Sequence, residues 1–524
     1  MSKYIIVTTL FTIAFLNLAA KTARYRCTWV DDPATSMQIG WDQLSGTGAM
    51  LYYDVIDNGT KIEKYRFNKK PDRAIKAKGM NNLFVNLTQL KPNTLYYCII
   101  KDSDGLSRSL TFVTAPNDPA TRISFISGGD SRNFREARQE ANALVAKLHP
   151  HFVLFNGDMT DDDTDAEWVE WFNDWQLTIT KEGLMTPVLV ARGNHEYDNK
   201  TLVDVFCLKA KEVYYSTGFA GNLLRIYTLN SMIPTSGEQK KWFQEDLEQA
   251  NDFIWKAVQY HCPMRPHNTP KPERNDQVQH WAALFHKYGI KLAMESDTHV
   301  AKNTFPIRPS NDAGNDEGFV RDDMQGTTYI GEGCWGAPLR QADDNKKWTR
   351  QSGSFNHFNW VWVDKYKMEI RTVKTDGGNA IAALPVGERF KLPAGINLWK
   401  HNAEDAIIIN NTNLKRNNDD VILASNNGKL NTNTTKTIES PVEKLSCDVL
   451  GVVNVPFDLE ASGAVFISLM NGKNQEVNVV EFKNQLKGRN SQRINIKKLP
   501  RGKYRVLVRH LNKVIKQYDV VQKG

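Results

Sequence analysis

The sequence predicts a multi-domain protein with a β-sandwich at each end of the chain and an α/β domain between them. Its 524 residues are enough for three or four domains of about 150 residues each. Residues 24–115 and 441–524 consist of short β-branched and aromatic segments separated by turns, which is typical of β-sandwiches. In residues 121–380, apolar strand-like runs alternate with helical patterns, which predicts βαβ units and a sheet covered by helices.

The first twenty residues have the pattern of a signal peptide. Lys3 is followed by an apolar run over residues 4–16, and then by the small residues Ala19 and Ala20. A run of about 13 residues is too short to span a bilayer, which needs about 20. No later segment of the sequence is long and apolar enough to cross a membrane. We therefore expect an exported protein without a transmembrane segment, secreted or held at the cell surface, with the periplasm as the alternative.

The N-terminal sandwich, residues 24–115, contains two of the six cysteines. Cys27 and Cys98 are either partners in a disulfide formed after export or small buried hydrophobes. Residues 90–96, with Leu, Pro, Thr and Tyr at fixed spacing, resemble the approach to the penultimate strand of fibronectin type III domains. A fibronectin type III-like domain is therefore expected here.

Five short polar motifs follow apolar runs, so each is expected where a strand ends and a loop begins. They are GGDSR at 128–132, GDM at 157–159, GNHE at 193–196, YHCP at 260–263 and SDTH at 296–299. Ligands collect at the carboxyl ends of strands in α/β sheets. Asp, Asn and His are side chains that hold metals. The motifs therefore predict a metal site in the central domain.

These motifs resemble the metal-binding motifs of calcineurin-like metallophosphoesterases, and most of all purple acid phosphatases with an N-terminal fibronectin type III-like domain. The resemblance covers about residues 24–380 and implies a four-layer sandwich in which two sheets stack between helices. It also implies a small phosphate ester as substrate and two metal ions as cofactors, drawn from iron, manganese, zinc and magnesium. It implies these ligands, with Asp158 bridging the two metals: Asp130, Asp158 and His299 for the first metal; Asp158, Asn194, His261 and Asp297 for the second.

The activity that the resemblance implies is hydrolysis of phosphomonoesters. Two metals about 4 Å apart neutralise the charge of the ester and supply a hydroxide that attacks phosphorus in line with the leaving oxygen. His195 would protonate the leaving oxygen or stabilise charge there. The planar fork of Arg132 suits a tetrahedral oxyanion, so Arg132 is either a substrate clamp or a partner in a structural ion pair. His267, in a Pro-rich loop, is a further substrate-side candidate.

Two positions depart from the family pattern. Asp161 stands where purple acid phosphatases carry the tyrosine that colours them, which predicts no purple colour and leaves Asp161 as either a metal ligand or a solvated turn residue. Asp297 stands where the last motif usually has a histidine. Because a carboxylate is a harder ligand, iron, manganese or magnesium is expected at the second site rather than zinc, or else binding there is weak or lost.

The basic charge of the chain is concentrated at its C-terminal end. The formal net charge is +8, and residues 441–524 hold 15 Lys and Arg against 7 Asp and Glu. This distribution argues against a central nucleic-acid groove. Residues 387–440 are rich in Asn and predict a bridge. Residues 441–524 resemble a type IX secretion sorting domain, which implies contact with secretion machinery or cell-surface attachment; a carbohydrate- or protein-binding sandwich is the alternative.

Two other functions remain open beside the secreted phosphatase. One is a hydrolase of another tetrahedral ester, either a phosphodiester or a sulfate ester. The other is a non-catalytic cell-surface binding protein built on a degenerate phosphatase core. Six polar residues at strand ends speak against the second, because packing alone does not require them there.

Overall fold

The computed structural model describes residues 21–385 and 387–411, and then a set of C-terminal segments. Those segments are 443–445, 452–459, 463–472, 476–485, 488–497, 499–510 and 513–522. The chain divides into two compact units, residues 1–412 and 413–524. The predicted signal peptide, Cys447 and residues 412–440 of the predicted Asn-rich bridge lie outside the described residues. The predicted domain boundaries remain predictions.

Two four-stranded antiparallel sheets form the N-terminal β-sandwich. The strands are β1 (Thr22–Thr28), β2 (Met37–Gln43), β3 (Met50–Asp54), β4 (Phe67–Lys69), β5 (Arg73–Ala77), β6 (Met80–Leu87), β7 (Leu95–Lys101) and β8 (Leu110–Val113). One sheet has the order β1-β2-β6-β5 and the other β4-β3-β7-β8. Cys27 and Cys98 are both buried in the core and are not joined by a disulfide. In the structure the two cysteines are therefore small buried hydrophobes, the second of the two alternatives that the sequence left open.

The central domain consists of two larger sheets with helices on their outer faces. Its elements are β9 (Ile123–Gly128), α1 (Arg135–Leu148), β10 (Phe152–Phe155), α2 (Asp165–Trp175), β11 (Val188–Val190), α3 (Asn199–Phe206), β12 (Tyr215–Phe219), β13 (Leu224–Thr228), α4 (Gly237–Gln249), β14 (Trp255–Gln259), α5 (Asn275–Gln277), α6 (Ala283–Tyr288), β15 (Ile290–Glu295), β16 (Ala301–Thr304), β17 (Ile307–Pro309), β18 (Phe319–Arg321), β19 (Thr328–Gly331), β20 (Thr349–Gly353), β21 (His357–Val363), β22 (Lys367–Lys374) and β23 (Ile407–Asn410). A π-helical turn, Val278–Ala282, joins α5 to α6, and short 3₁₀ turns lie at Ile62–Lys64, Gln176–Thr178 and Gly378–Ala380.

Parallel strands bring the polar motifs to common sheet edges. The six-stranded sheet has the order β11-β10-β9-β21-β22-β23, and the seven-stranded sheet has the order β12-β13-β14-β15-β19-β16-β20. Strands β9, β10 and β11 run parallel, as do β13, β14, β15 and β19. The carboxyl ends within each parallel set therefore lie at one edge of the sheet, which is where side chains can converge on a ligand.

The alternation of side chains along β9 separates two layers of the core. Phe125 belongs to a core that residues of both sheets share, whereas the next residue, Ile126, packs with α1 and α2. A third core packs α4 and α6 against the seven-stranded sheet. The order of layers is therefore helix, sheet, sheet, helix, which confirms the predicted fold class.

The described segments of the C-terminal unit form antiparallel β-structure with one parallel strand pair. Its strands are β24 (Glu443–Leu445), β25 (Val452–Leu459), β26 (Gly463–Met470), β27 (Glu476–Gln485), β28 (Gly488–Asn495), β29 (Gly502–His510) and β30 (Lys513–Gln522). They form a five-stranded sheet, β24-β30-β29-β26-β27, in which β24 and β30 are parallel, and a two-stranded sheet, β25-β28. In the described part of the chain, none of the helices has the length and apolar character needed to cross a membrane.

Candidate metal centre

Asp130 and His299 face each other beyond the ends of β9 and β15. His299 Nε2 lies 3.3 Å from Asp130 Oδ1, and both side chains are buried. Neither atom has a hydrogen-bond partner within the described residues. His299 Nδ1 donates to the backbone oxygen of Pro338 at 2.8 Å, which fixes the ring with Nε2 facing Asp130. Buried polar atoms are rarely left without partners, and a cation between these two atoms would satisfy both.

Asp158 connects this pair to the second half of the site. Asp130, Asp158 and His299 offer ligand atoms that all lie within 4.8 Å of one another. Asp158 Oδ1 also lies 3.3 Å from His261 Nε2 and accepts a hydrogen bond from the backbone N–H of His195 at 2.9 Å. The carboxylate therefore faces both halves of the site, which is the position a bridging ligand needs.

Two glycines allow the ligand loops to approach this closely. A Cβ on Gly193 would lie 2.1 Å from Asp158 Oδ1, and one on Gly333 would lie 2.2 Å from Asp130 Oδ2. Gly333 also has a positive φ of 94°, which favours glycine. Any side chain at these two positions would push the carboxylates out of place.

Three oxygens surround His261 Nε2 in the second half of the site. Asn194 Oδ1 lies 3.1 Å from this nitrogen, Asp158 Oδ1 3.3 Å and Asp297 Oδ1 3.6 Å. His261 Nδ1 donates to the backbone oxygen of Asn156 at 2.9 Å, which fixes the orientation of the ring. An imidazole nitrogen, two carboxylates and an amide oxygen form a donor set that suits a first-row metal or magnesium.

The charges of this group also fit a bound cation. Burial alone would lower the pKa of His261, but Asp158 and Asp297 raise it well above its usual value. Burial would raise the pKa of Asp297, but His261 and Lys271 hold it far below its usual value. Buried carboxylates need compensating positive charge, which the imidazolium supplies in the metal-free chain. A metal ion would supply the same charge and leave His261 neutral as a ligand.

Glu196 holds two ligand loops together. Its buried carboxylate accepts hydrogen bonds from the backbone N–H groups of Asp158 at 3.1 Å, Met159 at 2.8 Å and Gly193 at 2.7 Å. Burial and the nearby Asp158 raise the pKa of Glu196 to about 7. The loops after β10 and β11 are therefore joined through one side chain.

His195 and Arg132 lie beside the carboxylates on a more exposed side. His195 Nδ1 donates to the backbone oxygen of Asp161 at 2.5 Å, and Nε2 lies 3.8 Å from Asp158 Oδ2. Arg132 Nη1 donates to Asp161 Oδ1 at 2.5 Å, and Nε lies 3.8 Å from Asp158 Oδ2. Asp161 is thus engaged by Arg132 and His195, and the ion pair that the sequence left open for Arg132 is present.

His267 is not brought to this open side. Its ring is fully buried, with Nε2 bonded to Thr349 Oγ1 at 2.7 Å and Nδ1 3.4 Å from Glu332 Oε1. Glu332 also pairs with Lys302, which pairs with Glu295 at 2.5 Å. His267 therefore belongs to a buried charge network, and this geometry does not support the substrate-side role predicted for it.

Three residues near Asp297 are not among the site residues that the sequence predicted. Lys271 Nζ donates to Asp297 Oδ1 at 2.7 Å, and Arg340 Nη1 donates to the backbone oxygen of Asp297 at 3.0 Å. Cys262 Sγ groups with His261 and Asp297 within 4.8 Å, and burial raises the pKa of this thiol to about 11. Only Cys262 carried a signal in the sequence, because it directly follows a candidate ligand.

Asp, Asn and His gather at strand ends in this fold, where side chains can converge on a metal. Residues 128–301 match the family model of the calcineurin-like phosphoesterases. The centre of the chain is therefore a calcineurin-like phosphoesterase domain, which is a metal-dependent hydrolase of phosphoric esters, and the predicted resemblance is confirmed. The match includes every candidate ligand from Asp130 to His299.

Among the many solved structures that match this chain, two illustrate the shared fold. The purple acid phosphatase from yellow lupin (Lupinus luteus) seeds superposes with a TM-score of 0.54 and 14% identity, over 68% of this chain and 72% of that chain. PhoD superposes with a TM-score of 0.51 and 12% identity, over 67% of this chain and 86% of that chain. No curated protein matches the sequence.

Proposed function

We propose that the chain is a secreted phosphatase that hydrolyses phosphomonoesters with two metal ions. The observation that carries this proposal is the convergence of six side chains from five loops. One half is the pair Asp130 Oδ1 and His299 Nε2, 3.3 Å apart, for which the described residues supply no hydrogen-bond partner. The other is His261 Nε2 with three oxygens within 3.6 Å. Asp158 faces both halves.

The two halves would hold one metal ion each. The proposed ligands are Asp130, Asp158 and His299 for the first, and Asp158, Asn194, His261 and Asp297 for the second. When bound, the metals would neutralise the charge of the ester and activate water. Because Asp297 adds a hard carboxylate oxygen, iron, manganese or magnesium suits the second site better than zinc.

His195 holds the proton for the leaving oxygen in this proposal. Its Nδ1–H is committed to the backbone oxygen of Asp161, so Nε2 is the nitrogen that exchanges protons. The side chain keeps 24% of its surface exposed, which leaves Nε2 within reach of a substrate. A general acid needs this combination of fixed orientation and access.

Arg132 binds phosphoryl oxygen in this proposal, and Asp161 orients it. Nη1 is committed to Asp161 Oδ1 and Asn133 Oδ1, at 2.5 and 3.1 Å. Nε has no hydrogen-bond partner among the described residues, so the guanidinium keeps donor capacity beside Asp158. A planar guanidinium that retains free donors is well suited to a tetrahedral oxyanion.

The flanking segments support export in this proposal. Residues 1–20 carry the signal pattern, and residues 441–524 are proposed as the sorting module that engages secretion machinery or the cell surface. The N-terminal sandwich, with its two four-stranded sheets, is proposed as a fibronectin type III-like domain.

The test is ester hydrolysis by the metal-loaded protein. An aryl phosphate monoester, a phosphodiester and a sulfate ester are offered to the wild type, to Asp158→Ala and to a control, Asp162→Ala, whose carboxylate is exposed in the same loop. We expect the wild type and Asp162→Ala to hydrolyse the monoester and Asp158→Ala to have no activity. A preference for the diester or the sulfate would overturn the substrate class. No turnover with two metals bound would favour the non-catalytic binding protein.

A further inference from the structure

A groove of about 510 Å³ opens beside Asp297. Its walls are Asn268, Pro270, Lys271, Arg340, Gln341 and Asp343. Lys271 Nζ lies 2.7 Å from the Asp297 carboxylate, and Arg340 Nη1 lies 3.0 Å from the Asp297 backbone oxygen. The groove is thus joined to the candidate metal centre through two cationic side chains.

Arg340 brings a positive charge that no carboxylate of the described residues neutralises. Its guanidinium uses Nη1 for the backbone oxygens of Asp297 and Thr298, at 3.0 and 3.4 Å. In the described ranges, Nε and Nη2 form no hydrogen bond, and no Asp or Glu oxygen lies within 4.0 Å of the group. The fixed Nη1 orients the fork, and the remaining donors are available to an anion.

Asp343 is the one acidic wall of the groove. Its Oδ1 accepts hydrogen bonds from the Thr269 N–H at 2.9 Å and the Thr269 hydroxyl at 3.2 Å. The side chain is exposed, so water and salt screen its charge. Lys271 is paired with Asp297, so Arg340 is the cation of the groove whose charge no carboxylate of the described residues pairs.

We propose that this groove is a substrate subsite that binds a second anionic group, so that the preferred substrates are phosphomonoesters carrying another phosphate or carboxylate. Arg340 binds the second anion, and the ion pair of Lys271 with Asp297 lies beside it. This inference rests on the proposed phosphatase function, since the first phosphate occupies the metal centre.

The experiment compares matched substrates that differ by one anionic group, using the metal-loaded full chain. The pairs are fructose 1,6-bisphosphate against fructose 6-phosphate, and 3-phosphoglycerate against glycerol 3-phosphate. The readout is the ratio of kcat/KM values within each pair, for wild type, Arg340→Gln, Arg340→Lys and the control Lys347→Gln. Lys347 is an exposed lysine that does not line the groove.

We expect the wild type to show a kcat/KM about tenfold or more higher for the substrate with the second anion. Arg340→Gln should reduce this ratio several-fold, whereas Arg340→Lys and Lys347→Gln should largely keep it. The bisphosphate and carboxylate pairs distinguish the two kinds of second anion. Equal ratios in wild type and Arg340→Gln, with monoester turnover present, overturn the subsite and leave the phosphatase intact.

A binding measurement keeps the two proposals distinguishable. Calorimetric titration of pyrophosphate and of orthophosphate into wild type and Arg340→Gln needs no turnover. If the wild type binds pyrophosphate more tightly than orthophosphate and Arg340→Gln loses this preference, the groove is supported. If no ester is hydrolysed in the same preparation, only the phosphatase function is overturned. If Arg340→Gln does not fold, Arg340→Met takes its place in the same comparison, with the same expected loss.

Discussion

Lys271 Nζ lies 2.7 Å from Asp297 Oδ1, the same oxygen that lies 3.6 Å from His261 Nε2. One carboxylate oxygen therefore faces both a lysine ammonium and the candidate second metal position. The ammonium weakens the negative potential that attracts a cation, so Lys271 should set how tightly the second metal binds.

Removing this ammonium should tighten binding of the second metal. Lys271→Met is expected to raise that affinity about threefold to tenfold, since Asp297 would no longer share its charge with a partly exposed lysine. Calorimetric titration of metal into the stripped protein measures the change. Lys347→Met, at an exposed site, should leave the affinity unaltered. Unchanged or weaker binding in Lys271→Met would contradict this role.

Asp158 should be essential for both metals. Asp158→Asn keeps the shape of the side chain but removes the charge that faces both halves of the site. We expect metal affinity to fall by about 100-fold or more and bound metal to drop below two ions per chain. Elemental analysis of the dialysed protein gives the stoichiometry. Asp162→Asn should retain its metals, and two tightly bound ions in Asp158→Asn would rule out the bridging role.

His195 should matter most for poor leaving groups. His195→Gln is expected to lower kcat by about 100-fold or more for alkyl phosphates, because their alkoxide must be protonated as it departs. The fall should be smaller for an aryl phosphate, whose leaving oxygen is less basic. Both substrates are compared in steady state, with metal content checked in the same samples. An equal fall for both would show that His195 does not act as the general acid.

Asp174, at the end of α2, should contribute strongly to the free energy of unfolding, because it holds the arginines that support the loop carrying Arg132. Its buried carboxylate accepts hydrogen bonds from Arg135 and Arg138, and Arg138 Nη1 donates to the backbone oxygen of Ser131 at 3.1 Å. Asp174→Asn leaves the buried Arg138 with a weakened partner and is expected to cost about 3 kcal/mol or more in urea unfolding.

The matched control for Asp174 is Glu170→Gln. Glu170 pairs with the same two arginines, but its side chain is 45% exposed. The expected loss is therefore below about 1 kcal/mol. Similar losses in both variants would mean that burial does not distinguish the two carboxylates.

His357 should make the stability of the metal-free protein depend on pH. Burial lowers its pKa to about 4, against 6.5 for the ordinary side chain. Because the folded state disfavours the charged form, this contribution is present above pH 6.5 and is lost as the pH falls towards 4. His357→Gln should remove up to about 3 kcal/mol of that dependence. Urea midpoints between pH 7 and pH 4 measure it, and parallel curves for the two proteins would exclude His357 as the source.

The sequence by itself determined the order of domains and the positions of the candidate ligands along the chain. Asp130, Asp158, Asn194 and His261 each follow an apolar run that is a buried parallel strand in the structure. Strand periodicity is a local property, and a strand end is therefore visible in the sequence. The alternation of strand and helix patterns predicted βαβ units, and the resemblance to calcineurin-like metallophosphoesterases implied the four layers.

Only the tertiary structure decided which atoms of these side chains face one another. Lys271 and Arg340 reach Asp297 from 26 and 43 residues away in the chain, a distance over which no periodicity relates them. His267 lies in a loop whose sequence does not show that the ring turns inward to Glu332. Loop side chains take their directions from long-range packing and charge, so the groove and the buried network could be found only in the folded chain.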